Sequence, residues 1–341
     1  MPPPLRVVFL GSDPIALPML DWLAARAAAP ADGGGLAVQI GAIYTQPDRP
    51  AGRGQKVEAG PIKRWALAHK VPVRQPEKLT LEECAWFAAQ EPDLALVLAY
   101  GHILRDDWIA APQLGTLNLH ASILPRYRGA SPIQTAVACG ERATGVTLMR
   151  VVRKLDAGPV ADAERVLIEP LDTTVEIERK LSVACVPLVA RALPRLAGGE
   201  LEFKAQDETV ATYCRRLNKD DGRLDFAASA AALAARINGL HPWPGCTVEI
   251  NGTPVKLGLA DAVAEVGDPG YNTAKPGTVI GSDSEGLLVA TGGGVLRLRR
   301  LQRPGGRMLT APEFLRGFPV AVGTVLSSHP MSKLVGDRPL R

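Results

Sequence analysis

The chain has 341 residues, of which 46% are apolar and 22% charged, and a formal net charge of +4. That length suits two domains, and the apolar fraction excludes wholesale disorder. No apolar run reaches the ~18 residues of a membrane span, the opening Met-Pro-Pro-Pro-Leu-Arg has no secretory pattern, and so small a charge neither demands nor excludes a nucleic-acid partner.

In chain order, Leu5 to Leu10 reads as a short strand, and Pro14 fits the first turn of a helix continuing through Leu17, Leu20 and Leu23. After Gly33–Gly35 comes a second strand, Ala37 to Tyr44, and then a long polar loop from Thr45 to Gly60. The pattern continues with a helix over 61–69, a strand over 71–73, a helix over 79–90, and strands at Leu94–Ala99 and Gly115–Leu119. Alternating strands and helices predict a Rossmann-like, mostly parallel sheet covered on both faces. Ligands of such sheets sit at the carboxyl ends of the strands, which directs attention to the loops after Leu10, Tyr44, Ala99 and Leu119. Leu201 to Asp225 is a charged connector. One helix over 228–238 then gives way to short strands at 246–250, 255–259, 277–280, 287–290 and 295–301, punctuated by Asn-Gly, Asp-Pro-Gly and Gly-Gly-Gly turns. These predict a small β-barrel or sandwich. The expected division is 1–205, a linker over 206–222, 223–327, and a flexible tail over 328–341.

Five scattered cysteines without a Cys-x-x-Cys pair argue against a disulfide framework or a cysteine zinc site, and fit a reducing compartment, the cytoplasm by default. The richest polar cluster is Asn118-Leu119-His120-Ala121-Ser122-Ile123-Leu124-Pro125, directly after a predicted strand. Alternation puts Asn118 and His120 on one side of the extended chain. An amide that donates to a developing oxyanion, next to an imidazole that moves protons near neutrality, makes an acyl-transfer pair. The bland alternative is a structural histidine beside a turn-forming asparagine. Asp156, before the Gly158-Pro159 turn, suits a carboxylate that orients an imidazole, or simply a turn aspartate. The glycines around Arg53 would let its guanidinium reach an anion, unless the loop is only a solvated surface. Arg297, Arg299, Arg300, Arg303 and Arg307 form a basic stripe, read either as a phosphate-binding face or as a solvated one. Gly11-Ser12-Asp13-Pro14 lacks the glycine fingerprint of nicotinamide enzymes, and no P-loop, H-E-x-x-H or G-x-S-x-G is present.

Taken together these stretches resemble the methionyl-tRNA formyltransferase family over nearly the whole chain. The likeness runs through Phe9-Leu10-Gly11, the loop Thr45-Gln46-Pro47-Asp48-Arg49-Pro50-Ala51-Gly52-Arg53-Gly54, and Ala99-Tyr100-Gly101. It continues through Asn118-x-His120-x-Ser122-Ile123-Leu124-Pro125-x-x-Arg128-Gly129, Leu155-Asp156-x-Gly158, Gln206-Asp207-Glu208 and Trp243-Pro244-Gly245. The Asn-x-His block marks folate-dependent formyl transfer generally; the Gln-Pro-Asp-Arg-Pro-Ala-Gly-Arg loop and the Trp-Pro-Gly domain are more selective. Two departures occur, Ser-Asp-Pro after Gly11 and Ile123 for the commoner leucine, and neither touches a proton-transferring group.

The resemblance implies formyl transfer from 10-formyltetrahydrofolate to methionine on initiator tRNA, with Asn118, His120 and Asp156 catalytic. It implies a folate site at Ser122, Ile123, Leu124, Pro125, Tyr100 and Gly101, an OB-like β-barrel as the second domain, and tRNA contacts from Arg53, Arg49, Lys56, Arg297, Arg299 and Arg300. No metal, no membrane and a monomer are expected. The alternatives are another folate-dependent formyltransferase or hydrolase acting on a small amine or water, an RNA-binding module on an inactive α/β domain, and a nicotinamide oxidoreductase, which lacks its glycines.

Overall fold

The computed structural model describes residues 3–27, 36–51, 56–263 and 274–339. The chain forms two compact bodies, one of residues 1–128, 145–166 and 179–211, the other of 129–144, 167–178 and 212–341.

The first body is built on a seven-stranded sheet: β1 (Leu5–Gly11), β2 (Val38–Tyr44), β3 (Val73–Arg74), β4 (Leu94–Leu98), β5 (Thr116–His120), β6 (Ala143–Arg150) and β7 (Val160–Leu167). The spatial order is β7-β6-β5-β4-β1-β2-β3. Strands β1 to β5 pair in parallel, and β6 joins β5 antiparallel. β4, Leu-Ala-Leu-Val-Leu, is buried at every position, as a strand covered on both faces must be. Tyr44, Phe87 and Trp108 pack edge-to-face and stacked at 4.9–5.9 Å between ring centres, anchoring one face of the sheet. Burying each such ring contributes about 1.5–3 kcal/mol. The strand order reverses between β1 and β4, the position at which sheets of this kind take ligands at their carboxyl ends, and the predicted site loops begin there.

The sequence places the parallel strands within two residues. It gives no element between residues 130 and 200, where the structure has β6, β7 and a helix over Thr174–Ala197. That helix contains Pro187 and Pro194, which erase its signature, and β7 carries the polar run Ala-Asp-Ala-Glu-Arg.

The second body carries β8 (Cys246–Ile250), β9 (Thr253–Val263), β10 (Val279–Ser282), β11 (Leu287–Ala290) and β12 (Val295–Gln302), in the order β8-β9-β12-β11-β10, with Leu309–Thr310 as a sixth strand on β12. All these pairs are antiparallel. Asn251 and Gly252, at φ +51° and +73°, make the two-residue turn from β8 to β9 that an Asn-Gly pair predicts. Pairing irregularities at Leu257–Ala260 bend β9. The helix over Ala230–Leu240 is capped by Ser229, whose hydroxyl accepts from the Ala232 amide, and it buries Leu233, Ile237 and Leu240 in this core. Residues 129–144 belong with this body because the helix over Pro132–Ala138 packs onto Ala230–Leu240. A Cβ on Gly239 would stand 2.2 Å from the Ala138 nitrogen, so only glycine permits that approach.

Residues 328–339, expected as a flexible tail, are instead tied down. Val335–Gly336 pairs with Tyr213–Cys214, Leu334 is buried, and the Ser332 hydroxyl donates to Asp221 at 2.6 Å. Asp221 also accepts from Arg215 Nη1 at 2.8 Å and the Asn218 amide at 2.7 Å. Burial pushes the Asp221 carboxyl up, but Arg215, Ser332 and Asn218 outweigh it and hold it at about 2. A depressed carboxyl contributes stability that is complete above its unfolded value near 4 and lost as pH falls toward 2. Asp221→Asn is therefore expected to cost about 2 kcal/mol at neutral pH and to remove that share of the acid dependence. Calorimetric melts of both proteins from pH 7 to 2 check it, and an unshifted melting temperature at pH 7 refutes it.

Among the described residues, no helix is long and apolar enough to cross a membrane.

Candidate active site

The chain turns sharply after β5, and the loop that follows is held from inside. The Ser122 amide donates to the His120 carbonyl at 2.9 Å, and the Ser122 hydroxyl donates to the Arg126 carbonyl at 2.6 Å. From β6, Thr147 donates its hydroxyl to the Ser122 carbonyl at 2.6 Å and accepts from the Leu124 amide at 3.1 Å. Ser122 is fully buried, so it shapes the loop and presents no hydroxyl to a ligand. Ile123 is exposed, Leu124 buried and Pro125 half-buried.

This loop fixes His120. Its Nε2 lies 2.9 Å from the Tyr127 carbonyl. A carbonyl only accepts, so Nε2 carries the proton and donates. The other nitrogen, Nδ1, faces Asp156 Oδ2 at 3.7 Å. That distance is too long for a hydrogen bond and short enough for strong electrostatic interaction. Both side chains are largely buried, at 7% and 14% exposure, so their interaction is poorly screened. Asn118, half-buried, stands two residues earlier on β5, opposite Met149 of β6.

Asp156 belongs to the connection from β6 to β7 and sits at φ +47°, in the left-handed region. Two bonds close that connection: Arg150 N to Pro159 O at 3.0 Å and Ala157 N to Lys154 O at 3.2 Å. A Cβ on Gly158 would fall 1.8 Å from the Arg150 carbonyl oxygen, so the tight return that carries Asp156 requires glycine there.

The loops after β1, β2 and β4 meet. Ser12 Oγ accepts from the Gln46 amide at 2.9 Å, and Gln46 Nε2 donates to the Tyr100 carbonyl at 3.1 Å. Tyr100 is buried, its phenol is pushed up by burial, and its hydroxyl has no partner among the described residues. Gly101 follows it at φ +83° and is exposed. At the root of the Thr45–Gly60 loop, hydrogen bonds from Lys63 and then Gln75 hold the Asp48 carboxyl below its ordinary range. Arg49 is exposed; Arg53 and the Lys56 side chain lie outside the described residues.

Two members of the arginine stripe of the second body are not on the exposed face expected, while Arg300, Arg303 and Arg307 are exposed. Arg297 pairs with Asp261 at 3.2 Å, Asp283 at 3.3 Å and also Glu285, and Arg299 with Asp261 at 2.5 Å and Glu285 at 3.0 Å. These guanidiniums are spent on carboxylates, and their side chains are only 15% and 19% exposed. The sequence hides this because the acids come from β9 and from the turn between β10 and β11. Arg300, the next residue on β12, is exposed.

Four contributors have no role in the sequence reading: the Tyr127 carbonyl, Thr147, and Arg128 and Gln206, the last two present only as members of the quoted motifs. The first acts through its backbone, which leaves no residue-type signal, and the others meet the site from elsewhere in the chain. Among the described residues, no group of three or more His, Cys, Asp or Glu side chains is placed to hold a metal ion.

Known proteins resemble both parts of the chain. Residues 6–193 match the formyl transferase family model, and residues 216–319 match that of the formyl transferase C-terminal domain. The methionyl-tRNA formyltransferase of Pseudomonas fluorescens SBW25 is 42% identical over 329 residues, 96% of this chain and 98% of its own length. That of Methylococcus capsulatus is 39% identical over 318 residues, 93% and 98% of the two chains. Among solved structures, an N-formyltransferase from Helicobacter canadensis, in complex with folinic acid and dTDP-3-aminofucose, superposes with a TM-score of 0.63 at 17% identity, over 88% of this chain and all of that one. HypX from Aquifex aeolicus gives a TM-score of 0.56 at 17% identity, and this chain spans about half (49%) of that longer protein. Both structural likenesses are of fold. An imidazole and a carboxylate at the strand ends of a formyltransferase fold, with near-full-length identity of about 40%, make the chain a member of the methionyl-tRNA formyltransferase family.

Proposed function

We propose that the chain transfers the formyl group of 10-formyltetrahydrofolate to the α-amino group of methionine on initiator tRNA, at Asn118, His120 and Asp156. The observation that carries this reading is His120. Its Nε2–H is committed to the Tyr127 carbonyl, and its Nδ1 looks across a 3.7 Å gap at Asp156. At that separation the imidazole and the carboxylate can both act on one substrate atom lying beside the pair.

The amine nitrogen attacks the formyl carbon, and the carbonyl oxygen takes up the electron pair. Asn118 donates its amide N–H to that oxyanion, with the His120 imidazole beside it. Asp156 is placed to accept the proton that the attacking amine must lose. Collapse then breaks the bond from carbon to the folate nitrogen, which leaves with a proton. Tyr100, Gly101, Ile123, Leu124 and Pro125 are the proposed folate-side residues, with Ser122 acting through the shape of its loop.

In this reading residues 1–205 carry the folate chemistry, residues 223–327 contact tRNA, and the enzyme works as a cytoplasmic monomer. Arg49, Arg53, Lys56 and Arg300 are the proposed phosphate contacts. Arg300→Ala is expected to raise KM for the tRNA and reduce the salt slope of binding by about one. Arg297→Ala, which breaks a carboxylate cluster, is expected to lower the melting temperature and leave that slope unchanged. Filter-binding titrations at several salt concentrations separate the two, and identical slopes for all three proteins refute the assignment.

The test of the function is a formylation assay with 10-formyltetrahydrofolate and methionyl initiator tRNA, run beside elongator methionyl-tRNA. Product with the initiator alone is expected. No product with either transfers the reading to a small amine or water as acceptor.

A further inference from the structure

Arg128 is a fully buried cation. It donates from Nε and Nη2 to Gln206 Oε1 at 3.1 and 2.8 Å, and from Nη2 and Nη1 to the two oxygens of Glu208 at 2.9 and 3.1 Å. Lys154 reaches Glu208 from the other side at 2.7 Å. Burying a guanidinium is costly unless its donors are matched, and here an amide oxygen and a carboxylate match them.

The second half of the Gln206 amide does something that charge satisfaction does not require. Nε2 donates to the Asp156 carbonyl at 2.8 Å and to the Gly158 carbonyl at 2.7 Å. The amide orientation follows from its neighbours: arginine offers only donors and the two carbonyls only acceptors, so oxygen must face Arg128 and nitrogen the loop. Gln206 thus clips the carbonyls on either side of Ala157. Asp156 is a non-glycine residue at φ +47°, a conformation that persists where surrounding contacts enforce it. The His120–Asp156 gap is 3.7 Å, so a small rotation of this loop would close it or open it beyond use.

We infer that Gln206 is a positioning residue of the transfer reaction: anchored by the buried Arg128, it holds the Asp156 loop so that the carboxylate stands at working distance from His120. This rests on the reading of Asp156 as catalytic given above. Gln206 touches neither His120 nor the reacting atoms and acts through the backbone of the loop it binds.

The decisive variant is Gln206→Glu. It keeps the shape and the acceptor facing Arg128, but replaces the donating nitrogen with an oxygen that faces two carbonyls. The expected result is a fall in kcat of about 10–100-fold, the usual cost of losing a group that orients a functional side chain. KM for both substrates should stay within about threefold and the melting temperature within a few degrees. Because the residue acts through Asp156, adding Gln206→Glu to Asp156→Asn should cost less than about threefold more, against the full loss in the wild-type background. Gln206→Met, of similar size and without donors, should show the same kcat loss if the glutamate variant folds poorly. A kcat within twofold of wild type in both Gln206 variants, or a full and independent loss in the Asp156→Asn background, overturns the inference. A fully active Asp156→Asn enzyme overturns the reading beneath it, and it is seen before any Gln206 variant is made.

Discussion

His120→Ala is expected to lower kcat for formyl transfer by about 10²–10⁴-fold, the range of a positioned proton-transferring group. On the proposed mechanism alanine removes three things together: the Nδ1 nitrogen beside the reacting group, the neighbour of Asp156, and the Nε2–H donated to the Tyr127 carbonyl. Only the last bears on stability. A buried carbonyl left without its donor costs about 1–3 kcal/mol, which lowers the melting temperature by only a few degrees in a body of this size. The signature is therefore a large loss in kcat, a KM for tRNA close to wild type, and a folded protein. Steady-state kinetics beside a thermal melt read all three. A kcat within tenfold of wild type would remove His120 from the mechanism.

Asn118→Ala should produce the second large effect, a kcat loss of about 10²–10³-fold, equivalent to about 2.7–4 kcal/mol of transition-state stabilisation from one oxyanion donor. Asn118→Asp makes the argument sharper. It preserves size but puts an acceptor-only carboxylate where negative charge develops, so it should be at least as damaging as alanine. If Asn118 were only a turn-forming residue near a strand end, the aspartate variant would behave like wild type, since both suit turns. The alanine variant should leave KM for the folate donor within a few fold, because the interaction strengthens only as the oxyanion forms. A rise in KM with unchanged kcat would move Asn118 from catalysis to binding. In combination with His120→Ala the two losses should fall well short of multiplying, since the proposed mechanism sets both groups at one oxyanion.

Much of the fold was legible because its signals are local. The buried run at Leu94–Leu98 and the Asn251-Gly252 hairpin each follow from a few adjacent residues. So did the pairing of Asn118 with His120, which alternation along one strand puts on one face. The loop after β5 was legible as a block of polar residues and turn formers, though Ser122 turned out to serve the loop itself. The helix over Thr174–Ala197 was not legible, because its two prolines argue locally against the helix that its packing nevertheless sustains. Residues 328–339 read as a tail because they are short, polar and broken by proline. They are ordered by contacts to Tyr213, Asp221 and Leu224, more than a hundred positions earlier.

The sequence by itself determined the class of fold, the strand that carries the imidazole, and the family whose chemistry it resembles, all of which depend on residue type and short spacing. The tertiary structure alone decided the rest. It brought Asp156 within 3.7 Å of His120, matched the Arg128 guanidinium with Gln206 and Glu208, and gave Arg297 and Arg299 to carboxylates. The physical reason is common to all three. A charge's effect falls with distance and rises with burial, and both are properties of the folded chain that no local pattern records. The net charge of +4 therefore says little about where a phosphate would bind, because part of the basic stripe is neutralised by acids that the fold places against it.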